Sequence, residues 1–188
     1  MIANKNKIDD PREISRLQKE LKRLKQTSYK SPFTSMLTVM CYTLWKDYKF
    51  TQNKLSDFIQ KFMEYQKKYD DYMINDLHDE LMSYAAWTVE YSPYTMMDMP
   101  QTRSAVQRAY YQKIVEYNNM INGLCSRYIT YGFCVLKDDG WKAKKLTNMK
   151  DHFNHRLADA DDNAGIMDYW HDLVNDVGIY IERPTIDK

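Results

Sequence analysis

Residues 44–62 read L-W-K-D-Y-K-F-T-Q-N-K-L-S-D-F-I-Q-K-F, and residues 135–153 read V-L-K-D-D-G-W-K-A-K-K-L-T-N-M-K-D-H-F. Laid over each other without a gap, Lys46-Asp47 falls on Lys137-Asp138, Phe50 on Trp141, and Lys54-Leu55 on Lys145-Leu146. Phe58 meets Met149 and Phe62 meets Phe153, at a constant offset of 91 residues. In both copies the apolar positions after the aromatic residue recur with a helical period. The repeated unit therefore reads as helix, aromatic turn, amphipathic helix.

Working outward, the repeat decides an ambiguous neighbour. Residues 129–136, then Lys-Asp-Asp-Gly and Trp141, look locally like a β-hairpin with an Asp-Gly turn. The counterpart in the first copy is plainly helical, with Met36, Met40, Leu44 and Leu37, Cys41, Tyr48 on adjoining rows. A long fifth helix is therefore expected from about 101 to 136. Val106, Tyr110, Ile114, Tyr117, Ile121, Leu124, Cys125, Tyr128 and Ile129 carry its period. The turn follows at 138–141 and a sixth helix at 142–158. Gly132 inside the fifth helix costs about 1 kcal/mol relative to Ala and suggests a kink.

Upstream, Asp10-Pro11-Arg12-Glu13 is a helix start with a cap, a first-turn proline and a capping-box Glu. Ile14, Leu17, Leu21 and Leu24 form a narrow apolar stripe on a basic helix, which fits docking on the body or a second copy of the chain as a homodimer. Residues 26–32 read as a loop, 33–47 as the second helix and 48–50 as a turn. Thr51 caps a third helix carrying Leu55, Phe58, Ile59, Phe62 and Tyr69. A fourth begins at Asn75 or Asp76, carries Leu77, Leu81, Tyr84, Ala85 and Thr88, and stops before Ser92-Pro93. Residues 159–165 form a loop, 166–176 a seventh helix, and 179–185 a short extended strand on the surface. The expected fold is all-α, about seven helices. Two related αα-hairpin units near 33–81 and 126–176 are joined by a long central helix. The divisions are a basic N-terminal helix (1–30), a first repeat unit (31–91), a linker (92–100), and the long helix with the second unit (101–188).

The chain has 188 residues, 44% hydrophobic and 28% charged, which suits one compact body. Five Gly and five Pro are too few for a turn-rich β fold. Net charge is +1, so the molecule is no polycation, but the ends differ. Residues 1–30 carry nine Lys/Arg against four Asp/Glu, and residues 151–188 carry three against nine. Such asymmetry steers charged partners or lets the two ends dock on each other. The three cysteines, Cys41, Cys125 and Cys134, lie in apolar helical patterns without a C-x-x-C, as expected in a reducing compartment. The N-terminus has no apolar signal core, and the run 36–45 is about half the ~20 residues of a membrane span. A cytoplasmic protein with no membrane partner is expected.

Catalytic signatures are sparse. Asp151, His152, His155, Asp159, Asp161, Asp162, Asp168, His171 and Asp172 form an Asp/His cluster, and imidazole with carboxylate can hold a divalent ion. H-E-x-x-H is absent, however, and the D-A-D-D-N-A-G run puts Ala164 where an EF-hand needs Gly and Trp170 where it needs Glu. No metal or other cofactor is expected, and no enzyme, since nucleophile elbows and phosphate loops are also lacking. Y-K-F-T-Q-N-K-L-S-D-F-I resembles the entry of a DNA-binding helix-turn-helix, but Q-K-F-M-E-Y-Q-K-K-Y continues the same helix, favouring a simple αα-hairpin. Basic residues recur: Lys46, Lys49 and Lys54 in one copy, Lys137, Lys142, Lys144, Lys145 and Lys150 in the other. Tyrosines between them could stack on bases. Sixteen Tyr and twelve Met fill a core and also suit adaptable binding surfaces. The partner-binding candidates are Tyr91, Tyr94, Met96, Met97 and Asp98 in the linker, with Lys142, Lys144 and Lys145 at the second turn.

The apolar helix, aromatic turn, Lys-Leu pair and amphipathic helix of residues 37–62 and 135–153 resemble small helical proteins encoded by phages and prophages of Gram-positive bacteria. Gly140-Trp141 fits that pattern fully, whereas the first copy lacks the turn glycine. The resemblance covers about a quarter of the chain and implies a mobile-element origin without an activity. With so little chemistry in the sequence, the expectation is a non-catalytic viral inhibitor. It would bind and block a host protein or protein–nucleic-acid complex of bacterial defence, in the manner of an anti-CRISPR protein. The alternatives are a nucleic-acid-binding accessory protein and, third, a metal-dependent enzyme using the Asp/His cluster.

Overall fold

A computed structural model of the chain describes residues 11–27, 31–69, 74–85, 105–160 and 163–184. They form α1 (Pro11–Thr27), α2 (Ser31–Tyr48), α3 (Gln52–Lys68), α4 (Ile74–Ala85), α5 (Ala105–Asp138), α6 (Ala143–Asp159) and α7 (Asn163–Asp172). The chain continues from α7 into a π-helical turn at Leu173–Val177. No strand occurs among the described residues, so the fold is all-α and the β-hairpin alternative falls. Residues 129–138 belong to α5, a single helix of 34 residues.

Two helices are buried on all sides. Every residue of 34–44 in α2 and of 128–136 in α5 is buried. A helix apolar around its whole circumference belongs inside a core. Some of the hydroxyls it carries find partners within the helix, whereas the buried Thr38 hydroxyl has none among the described residues. Thr43 Oγ1 donates to the Val39 carbonyl at 2.8 Å and Thr130 Oγ1 to the Ser126 carbonyl at 2.9 Å. Gly132 leaves space between the two central helices that the Met40 side chain fills. A Cβ there would lie 2.2 Å from Met40 Sδ, and Met40 is itself fully buried. The glycine expected to mark a kink thus makes room for a neighbouring side chain.

Around this pair the packing follows an approximate two-fold pattern. α2 packs on α5; α3 packs on α5 as α6 packs on α2; α4 packs on α5 as α7 packs on α2. The departure is α4, which also packs on α6. The two turns match at the offset of 91. Lys49 and Gly140 both have left-handed backbone, with φ of 57° and 81°. Thr51 and Lys142 are both extended N-cap residues, with ψ of 166° and 154°. The Phe50 and Trp141 amides each reach back 3.1 Å to a carbonyl of the preceding helix, those of Leu44 and Leu136. Beyond the turns, Leu55 and Leu146, Phe58 and Met149, and Phe62 and Phe153 are all buried. Phe50 is only half-buried where Trp141 is buried.

Several boundaries differ from expectation. Gln26, Thr27, Ser31 and Pro32 are helical rather than loop, with Pro32 tolerated in a first turn. Tyr69 is the extended C-cap of α3, not part of it. α7 starts at Asn163, earlier than expected. The tail makes no strand; Ile179, Ile181 and Pro184 are buried while Tyr180 points outward. Trp170 Nε1 donates to the Ile181 carbonyl at 2.8 Å and pins the tail to α7. Thr88 and the linker 92–100 lie outside the described residues. In α1, Leu17 is buried and Ile14 half-buried, and the helix packs on α5. No described helix is long and apolar enough to cross a membrane.

Candidate functional site

The two turns do not merely resemble each other; they touch. The Phe50 and Trp141 rings stand 5.9 Å apart, and Tyr48 packs 4.9 Å from Trp141. Each turn supplies a lysine four residues beyond its aromatic. Lys54 Nζ lies 5.8 Å from the Phe50 ring, and Lys145 Nζ lies 3.6 Å from the Trp141 ring and 5.8 Å from that of Tyr48. An ammonium over an aromatic face is attracted by the ring quadrupole, which orders an otherwise mobile side chain. Lys49, Lys54, Lys142, Lys144 and Lys145 are all exposed. Lys49 Nζ donates to the Lys46 carbonyl at 2.7 Å, and Lys46 covers the Trp45 ring at 3.5 Å. The result is a cationic rim around an aromatic seam.

Nearby carboxylates are engaged elsewhere. Asp47 at the end of α2 accepts from Arg156 Nη2 of α6 at 3.1 Å, with His152 Nδ1 at 3.4 Å from its other oxygen. Asp138, its counterpart at the end of α5, accepts from Tyr65 of α3, and Asp139 pairs with Lys61 at 2.6 Å. Each central helix is thus tied to the outer helix of the opposite hairpin. Burial alone would lower the Arg156 pKa, but the hydrogen bond and charge of Asp47 outweigh it and raise the value. The Tyr65 phenol is raised by burial first, then by its bond to Asp138.

Of the residues singled out in the sequence, Lys142, Lys144 and Lys145 are on this surface. Tyr91, Tyr94, Met96, Met97 and Asp98 lie outside the described residues. Lys49 and Lys54 were recognisable only as members of a basic series. The offset of 91, which carries Lys54 onto Lys145, is the signal that singles Lys54 out.

The Asp/His cluster is spread out. His155 pairs with Asp159 at 2.8 Å, His152 faces Asp47, and Asp172 accepts from the Tyr42 hydroxyl at 3.3 Å. Asp168 and His171 are exposed, and Asp161 and Asp162 lie outside the described residues. Among the described residues no three His, Cys, Asp or Glu side chains gather as a metal site would require. A shallow hollow of about 340 Å³ is lined by Asp151, His152, His155 and Arg156. The cysteines are buried and unpaired. Burial pushes the Cys125 and Cys134 thiols up to about 12 and Cys41 higher still, the reverse of what a nucleophile needs. Helix α3 runs unbroken for 17 residues after its turn. It is thus unlike the short first helix of a DNA-reading helix-turn-helix, and it packs mainly on α5.

No family model matches the chain, and no curated protein or solved structure matches it.

Proposed function

We propose that the protein is a non-catalytic binding protein that engages and blocks a host macromolecule through the paired turns. The observation that carries this reading is the Phe50–Trp141 contact with Lys54 and Lys145 on its two rings, and with exposed Lys49 and Lys142 next to those rings in the sequence. Cations held on a seam of packed rings form a fixed surface. Such a surface steers an acidic partner and fixes its register. The resemblance to phage proteins makes a bacterial defence complex the first target to assay, with inhibition of the anti-CRISPR kind as the expected consequence of binding. The experiment is capture from bacterial lysate with the wild-type chain and with Lys54→Glu/Lys145→Glu. The wild type should retain a partner that the charge-reversed variant loses, with little change in melting temperature. Equal capture by both proteins would overturn the reading.

A further inference from the structure

We propose that the paired turns hold the phosphodiester backbone of a nucleic-acid duplex, independent of base sequence, through the counterpart lysines Lys54 and Lys145, with exposed Lys49 and Lys142 beside them in the two turns. This rests on the reading of the paired turns as the binding surface and names what is bound there.

Three features converge on it. The first is symmetry. Lys54 and Lys145 are counterparts at the offset of 91, and each stands over the aromatic ring of its own turn. Those rings are 5.9 Å apart, so equivalent cations flank one approximate two-fold axis. The two antiparallel strands of a duplex present their phosphates with that same symmetry, which is why two-fold proteins match two-fold sites. The second is the state of the aromatics. Trp141 is buried, Lys145 covers it, and Tyr48 and Phe50 are half-buried against it. Stacking on splayed bases, the usual means of holding a single strand, finds no fully exposed ring here. Ammonium groups remain, and contacts from them to phosphate position a duplex without reading it. The third is charge balance. None of the four lysines has a carboxylate partner among the described residues, while Asp47, Asp138 and Asp139 beside them each pair with another side chain; exposed Asp151, near Tyr48, leaves the four cations in excess.

The test is fluorescence anisotropy of labelled short duplexes of two unrelated sequences, and of the matching single strand, titrated with the full chain. Both duplexes should bind equally. Log K should fall against log salt with a slope of about −3.6 for four phosphate contacts, about 150-fold between roughly 50 and 200 mM. Lys54→Gln and Lys145→Gln should each reduce that slope by about 0.9, and Lys54→Arg/Lys145→Arg should restore it. Lys142→Gln, at an exposed position with no ring contact, should likewise reduce the slope by about 0.9 without touching the seam. The inference is overturned if the wild type binds neither duplex at about 50 mM salt, if the glutamine variants bind like wild type, or if the single strand binds more tightly than the duplex. If the duplex fails while lysate capture still depends on Lys54 and Lys145, the surface stands and its ligand is an acidic protein. If capture is also independent of them, the proposed function falls as well.

Discussion

Three glycines within one stretch of chain meet three different physical situations. Gly140 has φ of 81°, where a Cβ is strained, so Gly140→Ala should cost about 1 kcal/mol. Gly132 faces the end of the Met40 side chain, which is fully buried and must shift within the core, so Gly132→Ala should cost about 1 kcal/mol through overpacking. Gly123 is exposed in mid-helix with open space where its Cβ would be, so Gly123→Ala should stabilise by about 1 kcal/mol. Urea denaturation of the three variants checks both signs. Tyr48 offers a second test. Its hydroxyl is buried without a hydrogen-bond partner among the described residues. Burial first, then the charges of Asp47 and Asp151, push its pKa up to about 12 from an ordinary 10.0. The folded state therefore holds that proton more tightly than the unfolded chain. Its share of stability is complete below the ordinary value and lost as pH rises through 10.0 towards about 12. Tyr48→Phe should raise stability at neutral pH by about 1 kcal/mol and flatten the alkaline decline. Melting curves from neutral to alkaline pH would show whether it does.

At the scale of elements, α1 separates apolar docking from charge. Leu17 is buried where α1 packs on α5, while Lys19 and Lys22 are exposed. Burial of one leucine contributes about 1.5–3 kcal/mol, and exposed charges contribute little. Leu17→Asp should therefore lower stability by about 2–3 kcal/mol and expose α1 to protease. Lys19→Glu/Lys22→Glu should change stability by less than about 0.5 kcal/mol. If the charge reversals were the destabilising pair, electrostatics would be holding α1 in place. The basic N-terminal segment was open to two readings in the sequence, structural or free for a partner. Its docking on α5 is a tertiary choice, made where Leu17 finds an apolar surface.

At the scale of the whole molecule, the approximate two-fold packing ties each central helix to the far hairpin. Asp47 and Arg156 form one such tie, with both side chains mostly out of water at 17% and 29% exposure. Removing the acid leaves a partly buried guanidinium unpaired. Asp47→Ala should therefore cost about 1–3 kcal/mol, persisting in high salt. Binding through the lysine rim should be unchanged, because Asp47 is committed to α6. A stability loss that vanished with added salt would mean that the pair is only a surface contact.

The sequence by itself determined the helical elements and the register between the two turns. Leu55, Phe58 and Phe62, and their counterparts Leu146, Met149 and Phe153, announce buried faces through local periodicity, and the offset of 91 favoured helix over hairpin for residues 129–136, where α5 in fact continues to Asp138. Helical period and turn chemistry are written within a few residues, so one chain suffices to read them. Only the tertiary structure decided that the turns meet, that Met40 fills the space above Gly132, and that Lys54 and Lys145 flank one aromatic seam. Those contacts depend on where helices far apart in the chain cross. Crossing is set by the summed shape of many side chains and leaves no local period to read.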